Sequence, residues 1–128
     1  MNYKRFLEIA KQLELAGIYW KPEIGDEVCS KDDPSNIFIL VNTTSLTPTE
    51  IKEKYLWLPT VEQMMLQIEV RSAILKHAGL SANRTDLSYK TVIISQETGE
   101  IESSAASLRS ALGMSLRELI QKKYSVLH

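Results

Sequence analysis

Two pairs of short strand-like segments, each joined by a tight turn, limit the topologies open to this chain of 128 residues. The first pair is formed by residues 27–30 and 37–41, which are separated by a run of Asp, Pro, Ser and Asn residues. The second pair is formed by residues 89–95 and the segment that begins at Ile101, with Gly99 in the turn between them. Strands joined by tight turns pair antiparallel, because parallel pairing needs a long crossover connection. The sequence therefore predicts an antiparallel sheet built from hairpins.

Helical patterns occupy both ends of the chain. Between residues 3 and 16 the apolar residues fall on one helical face, and Gly17 follows where a C-terminal glycine cap belongs. From residue 105 onward leucines recur at helical spacing, and Gly113 interrupts the pattern. The terminal segment fits either one kinked helix or two helices.

Two capping boxes mark further helix starts in the middle of the chain. Thr47 is followed three residues later by Glu50, and Thr60 is followed in the same way by Gln63. In such a box the two side chains bond reciprocally to backbone N–H groups that the first helical turn leaves without partners. The first box predicts a short helix, and the second predicts a long helix over residues 61–78.

Together these elements predict an α+β fold in a single domain that spans residues 1–128. A mainly antiparallel sheet of about four or five strands, built from hairpins, is covered by three main helices in this prediction. The inward faces of the elements supply the predicted core, which consists of Phe6, Ile9, Leu13, Ile39, Val41, Met65, Ile68, Leu75, Val92, Ile94, Leu108 and Leu112.

Composition restricts the compartment and the partners. Fifteen basic residues against sixteen acidic ones leave a net charge of -1, so no overall field draws the protein to nucleic acid or to an anionic membrane. No apolar run approaches the ~20 residues that a membrane-spanning helix needs. Cys29 is the only cysteine, which excludes an intrachain disulfide and predicts a buried free thiol without a catalytic role. We therefore expect a cytoplasmic protein that does not associate with membranes.

Catalytic and ligand-binding motifs are missing from the sequence. It contains no phosphate-binding glycine loop, no dinucleotide fingerprint, no HExxH and no GxSxG. The nitrogen and sulfur ligands for zinc are limited to Cys29, His77 and His128, and we expect His77 to lie at the end of the long helix. The sequence therefore predicts no catalytic residue, no metal site and no cofactor. An enzyme whose site is assembled from distant residues stays open as a third alternative.

The two tryptophans are the candidate binding residues. Trp20 and Trp57 each stand just before a turn or a helix start, close to Pro22 and Pro59 respectively. A large ring at an element boundary either covers the edge of the core or forms part of a recognition surface, where tryptophan is enriched. We expect any functional surface to include Trp20 or Trp57, although core packing is the commoner role for each ring taken alone.

The C-terminal segment resembles a helix-turn-helix DNA-binding motif. In residues 108–119, Gly113 takes the turn position, Ser115 the cap of the second helix and Leu119 an inward-facing position. Arg109 departs from the pattern, because that family usually has a small residue there. The resemblance implies a DNA-binding regulator that reads DNA with residues 108–123, and this is the alternative function.

A second resemblance covers more of the chain. A leading helix that ends at Gly17, residues 21–26, an apolar strand, residues 57–63 and a terminal helix rich in Ser and Ala together resemble small uncharacterised proteins of phages and mobile elements. That resemblance implies an accessory or interaction protein. The preferred function is therefore a small binding module without catalysis that binds a partner protein. Association of identical chains also stays open.

Overall fold

The computed structural model describes residues 3–41, 45–82 and 87–127. Within these ranges the chain forms helices α1 (Tyr3–Ala16), α2 (Pro48–Lys54), α3 (Val61–Glu69) and α4 (Leu108–Leu127). It also forms strands β1 (Glu27–Ser30), β2 (Ile37–Ile39), β3 (Tyr55–Trp57), β4 (Ile74–Ala82), β5 (Leu87–Ser95) and β6 (Gly99–Ala105). None of the helices is long and apolar enough to cross a membrane, as far as the described residues go.

The strands form two separate three-stranded sheets. The first has the order β2-β1-β3 and the second has the order β4-β5-β6, with every neighbouring pair antiparallel. Both predicted hairpins are present, as β1-β2 and β5-β6. The α+β class and the antiparallel pairing are therefore confirmed. The prediction of one sheet of four or five strands is wrong in detail, because the described residues form two sheets with six strands in total. Three longer helices and the short helix α2 accompany these sheets.

The long helix predicted over residues 61–78 is the source of this error. The helix ends at Glu69, and Ser72 takes a left-handed conformation with φ of 58° before β4 begins. β4 pairs with β5 along its whole length, with a register shift between Leu75 and His77. The shift breaks the period-2 alternation that reveals a strand in sequence, so the segment reads as helical. His77 consequently lies in a strand and not at a helix end.

Both capping boxes are confirmed. Thr47 accepts a hydrogen bond from the backbone N–H of Glu50, and Thr60 accepts one from that of Gln63. In return, the side-chain oxygens of Glu50 and Gln63 accept hydrogen bonds from the backbone N–H groups of Thr47 and Thr60. These boxes fix where α2 and α3 begin.

The terminal segment is a single helix, α4, which continues through Gly113. A Cβ atom added at Gly113 would lie 2.7 Å from Cγ2 of Ile9 and 3.4 Å from Cε1 of Phe6, both on α1. Glycine at this position therefore allows α1 and α4 to approach closely. The glycine that suggested a turn in the sequence is a helix-packing residue.

The core consists of two hydrophobic clusters. The larger one joins α1, α3 and α4 to both sheets and includes five of the predicted core residues, and a sixth, Leu75, packs against it. Predicted core positions that are buried are Phe6, Ile9, Leu13, Ile68, Val92 and Leu112. Those that are half-buried are Leu75, Ile94 and Leu108. The smaller cluster, which we call the tryptophan cluster, consists of Trp20, Val28, Leu40, Ile51 and Trp57.

Three predicted core residues are wrong. Ile39 and Val41 are 47% and 80% exposed. In this segment Leu40 belongs to the tryptophan cluster and Phe38 packs against it, so the alternate residues face the core. Neighbouring residues of a strand point to opposite faces, so an error of one position exchanges the buried and exposed sets. Met65 is 37% exposed because its neighbour Met64 faces the core.

Candidate functional site: a cleft beside two stacked tryptophans

Trp20 is positioned by the end of α1 and by a buried carboxylate. The left-handed conformation of Gly17 (φ 95°) ends the helix and directs the chain across the first sheet. The indole Nε1 of Trp20 then donates a hydrogen bond of 2.9 Å to Oδ2 of Asp26. Asp26 also accepts bonds from the backbone N–H of Glu23 at 2.9 Å and from Nε2 of Gln63 at 2.8 Å. These three donors satisfy the buried carboxylate, which therefore holds the Trp20 ring in a fixed orientation.

Trp57 comes from β3 and stacks on Trp20. The two rings are nearly parallel, with 4° between their planes and 5.7 Å between their centroids, an offset-stacked arrangement. Both side chains are buried, with 6% of Trp20 and 8% of Trp57 exposed. Nε1 of Trp57 is buried and has no hydrogen-bond partner among the described residues. The structure thus brings the two candidate residues together, but as a stacked pair and not as exposed rings.

A cavity of ≈ 380 Å³ opens beside this pair, between α1, α2 and β3. We call it the tryptophan cleft. Its apolar wall is formed by Ala10, Leu13, Ile18, Trp20, Leu56 and Trp57. Its polar residues include Thr49, Lys52 and Glu53, which follow one another at helical spacing on α2. A mostly apolar cavity of this size with a few polar groups is the usual form of a ligand or side-chain binding site.

Lys31 lines the cleft and contacts both of the helices that form it. Its ammonium group donates to Oε1 of Glu14 on α1 at 3.0 Å and to the backbone carbonyl of Lys52 on α2 at 2.7 Å. Its backbone N–H also donates to the carbonyl of Lys54 at 2.9 Å. Lys31 therefore connects the hairpin between β1 and β2 to both helices that form the cleft.

A second cavity of ≈ 190 Å³ adjoins the first. The two cavities share Glu14, Lys31 and Leu56, so the ion pair lies between them. Cys29 lines the second cavity and is a free thiol that is 1% exposed, which confirms the predicted burial. Burial raises the pKa of this thiol above its ordinary value, while Lys11 nearby lowers the pKa to a smaller extent.

Sequence reasoning chose the tryptophans as candidates and did not choose the polar residues of the cleft. Thr49, Lys52 and Glu53 share one face of a helix whose start the capping box marks, so their common orientation could have been found. Lys31 and Glu14 are 17 residues apart and meet only through the packing of α1 against the first sheet. No local sequence pattern predicts the contact between Lys31 and Glu14.

Arg109, which departs from the helix-turn-helix pattern, forms an ionic contact with Glu27 in which 13% and 18% of the two side chains stay exposed. Its Nη1 lies 2.8 Å from Oε1 of Glu27, and Nε donates at 2.8 Å to the carbonyl of Pro59. Nη2 donates to the carbonyl of Leu58, and the guanidinium lies 4.3 Å from the centroid of the Phe6 ring. Each nitrogen of the guanidinium has a protein acceptor, so the group ties α4 to α1, β1 and the segment before α3.

The basic residues of the proposed DNA-reading segment make contacts within the protein. Lys123 lies 3.3 Å from a carboxylate oxygen of Glu97, and Lys122 lies 3.9 Å from one of Glu118. Nε of Arg117 is buried without a hydrogen-bond partner among the described residues. The helix-turn-helix interpretation needs a turn at Gly113, where α4 is continuous.

Other chemistry has little support in the parts of the chain that the structure describes. They contain no group of three or more His, Cys, Asp or Glu side chains placed to hold a metal ion. His128, the last of the three candidate zinc ligands, lies outside the described residues. The resemblance to phage and mobile-element proteins stays a prediction. Comparison of the chain with protein-family models, with curated proteins and with solved structures found no match.

Proposed function

We propose that this protein is a small binding module that takes apolar side chains of a partner protein into the tryptophan cleft. The observation that carries the proposal is the ≈ 380 Å³ cavity with an apolar wall beside the stacked pair of Trp20 and Trp57. The cavity opens to solvent, so a side chain of another protein can enter it. In protein complexes, much of the binding energy comes from a few anchor side chains that fill pockets of this kind.

Rigid walls favour this use of the cleft. The Asp26 carboxylate fixes Trp20, and stacking on Trp20 fixes Trp57. A cavity whose walls are already in place needs little ordering when a ligand enters, and that lowers the entropic cost of binding. The proposed role needs no catalytic group and requires only that an apolar side chain displaces water from the cleft.

The test uses peptides as stand-ins for the partner. ¹⁵N-labelled protein is titrated with a pool of blocked hexapeptides that contain adjacent Leu or Phe residues flanked by Gln. Because the chain has two tryptophans, two indole N–H signals report on the cleft. We expect saturable shifts of these signals at peptide concentrations up to about 1 mM, the range of weak anchor binding.

A variant that fills the cleft and a matched control variant test whether the peptides bind there. Thr49 is exposed and lines the cleft, so Thr49→Phe should occupy it and abolish the shifts. Lys54→Phe places the same ring at an exposed position of α2 that does not line the cleft, and should leave the shifts unchanged. Absence of saturable shifts, or equal binding to the Thr49→Phe protein, would rule out this function.

DNA binding stays the alternative proposal. A gel shift with random duplex DNA at two salt concentrations tests it, because contacts to phosphates weaken steeply as salt rises. A salt-dependent shift that Lys122→Gln weakens would favour the regulator. The Glu118 partner of Lys122 gives this variant little expected effect on the fold.

A further inference from the structure

The groove formed by the two adjoining cavities carries more positive than negative groups. Lys11, Lys31 and Lys52 line it, against Glu14 and Glu53. Lys31 is paired with Glu14, whereas Lys11, Lys52 and Glu53 form no ion pair with another described residue. The local balance therefore favours a ligand that brings a carboxylate, although the protein as a whole is slightly acidic.

The pair between Lys31 and Glu14 is easily exchanged. The two side chains retain 35% and 44% of their exposure, so water screens the attraction between them. Exposed ion pairs of this kind contribute little to stability, and separating one costs correspondingly little. Lys31 keeps its second bond, to the carbonyl of Lys52, when Glu14 moves away, so its ammonium stays at the boundary of the two cavities.

We propose that the partner segment carries an acidic residue beside its apolar anchors, and that the partner's carboxylate replaces Glu14 as the ion-pair partner of Lys31. This inference rests on the proposed function of the tryptophan cleft. With Glu14 displaced, the segment lies across both cavities, its apolar side chains in the larger one and its carboxylate at Lys31. The ammonium group of Lys52 and the hydroxyl of Thr49, one helical turn apart on α2, provide further donors on the same side.

The test compares two hexapeptide pools that differ only in charge. One pool has Glu on both sides of the apolar pair and the other has Gln, and both are followed through the two indole signals. We expect the acidic pool to bind about two- to fivefold more tightly at low salt, the range for an exposed ion pair. That difference should shrink when salt is added.

Variants locate the effect. Glu14→Gln frees Lys31, so it should strengthen binding of the acidic pool relative to the neutral pool. Lys31→Gln should abolish the difference between the pools, and Lys52→Gln, at an exposed position, should reduce it. Glu8→Gln removes the same charge from α1 at its exposed pair with Arg5, away from the groove, and should change neither pool.

The outcomes separate the two proposals. If neither pool shifts the indole signals, the proposed function fails. If both pools bind equally, or if Glu14→Gln and Glu8→Gln raise acidic binding alike, the cleft binds apolar side chains but the carboxylate exchange at Lys31 is wrong. Tighter binding of the acidic pool that depends on Lys31 supports the exchange.

Discussion

The contact between α1 and α4 and the tryptophan cleft are both apolar, but they differ in how completely they are filled. At Gly113 an added methyl group would meet Ile9 at 2.7 Å, so the helix contact has no spare volume. The cleft leaves ≈ 380 Å³ unfilled next to the same helix α1. One helix thus uses one part of its surface to hold the fold together and leaves another part open. The proposed binding function depends on this open part.

The largest expected effect on stability comes from breaking the ionic contact between Arg109 and Glu27. Arg109→Met leaves the Glu27 carboxylate without its partner at 2.8 Å and frees the carbonyls of Leu58 and Pro59. Removing one partner of a fully buried ion pair costs about 3–5 kcal/mol, and the partial exposure of Arg109 and Glu27 places the expected loss at the lower end of this range. Urea denaturation measures the loss, and adding Glu27→Gln should recover part of it. Lys122→Met removes an exposed pair and should change stability by less than about 0.5 kcal/mol.

The second largest effect on stability is expected from removing side-chain volume in the main core, and it should exceed the effect of a change in the tryptophan cleft. Leu112 is fully buried in the main cluster, so Leu112→Ala should lower the free energy of unfolding by about 2–5 kcal/mol. Thr49→Phe adds volume to the cleft and should lower the free energy of unfolding by less than about 0.5 kcal/mol. Chemical denaturation of both variants provides the comparison. Equal losses would mean that the cleft is packed as tightly as the core.

Local signals explain which parts of the fold the sequence predicts. The capping boxes at Thr47 and Thr60 and both hairpins were predictable because each depends on residues within one turn. β4 was not, because its bulge hides the alternation and its partner β5 fixes it as a strand. The buried face of β2 was misassigned by one residue, since only packing on the tryptophan cluster decides between Ile39 and Leu40.

The candidate site follows the same division. Trp20 and Trp57 could be chosen from their residue type and position, but their stacking depends on Asp26 and on the pairing of β3 with β1. The contact of Lys31 with Glu14 joins residues from different elements and leaves no sequence signature. Arg109 could be noticed in the sequence because it departs from the helix-turn-helix motif. Its partner Glu27 lies 82 residues earlier in the chain (109 − 27), so no local pattern predicts their contact.

A smaller effect is expected when the close helix contact is overfilled. Gly113→Ala gains about 1 kcal/mol of helix propensity but forces a methyl group against Ile9, and overpacking costs about 1–3 kcal/mol. We expect a net loss of up to about 2 kcal/mol in thermal or urea unfolding. Gly79→Ala is the control, because nothing lies within 4 Å of its added Cβ and a strand gains about 0.5–1 kcal/mol from the change. A stabilised Gly113→Ala protein would show that α1 and α4 have room to separate.

The smallest expected effect on stability concerns the hydroxyl of Tyr3 on α1, which donates a 2.9 Å hydrogen bond to Oε2 of Glu27. That bond raises the pKa of Tyr3 above its ordinary value of 10.0, because ionisation would remove the donor and place a charge beside the carboxylate. A raised pKa in the folded state means that the stabilisation is complete below pH 10 and is lost as pH rises through the folded pKa. Tyr3→Phe should therefore cost about 0.5–1 kcal/mol at neutral pH, the contribution of one partly exposed hydrogen bond. The difference from the unmodified protein should shrink in denaturation curves measured above pH 10. Tyr19→Phe, at an exposed ring, should cause no such change, and a pH-independent difference at Tyr3 would show that its hydroxyl does not depend on Glu27.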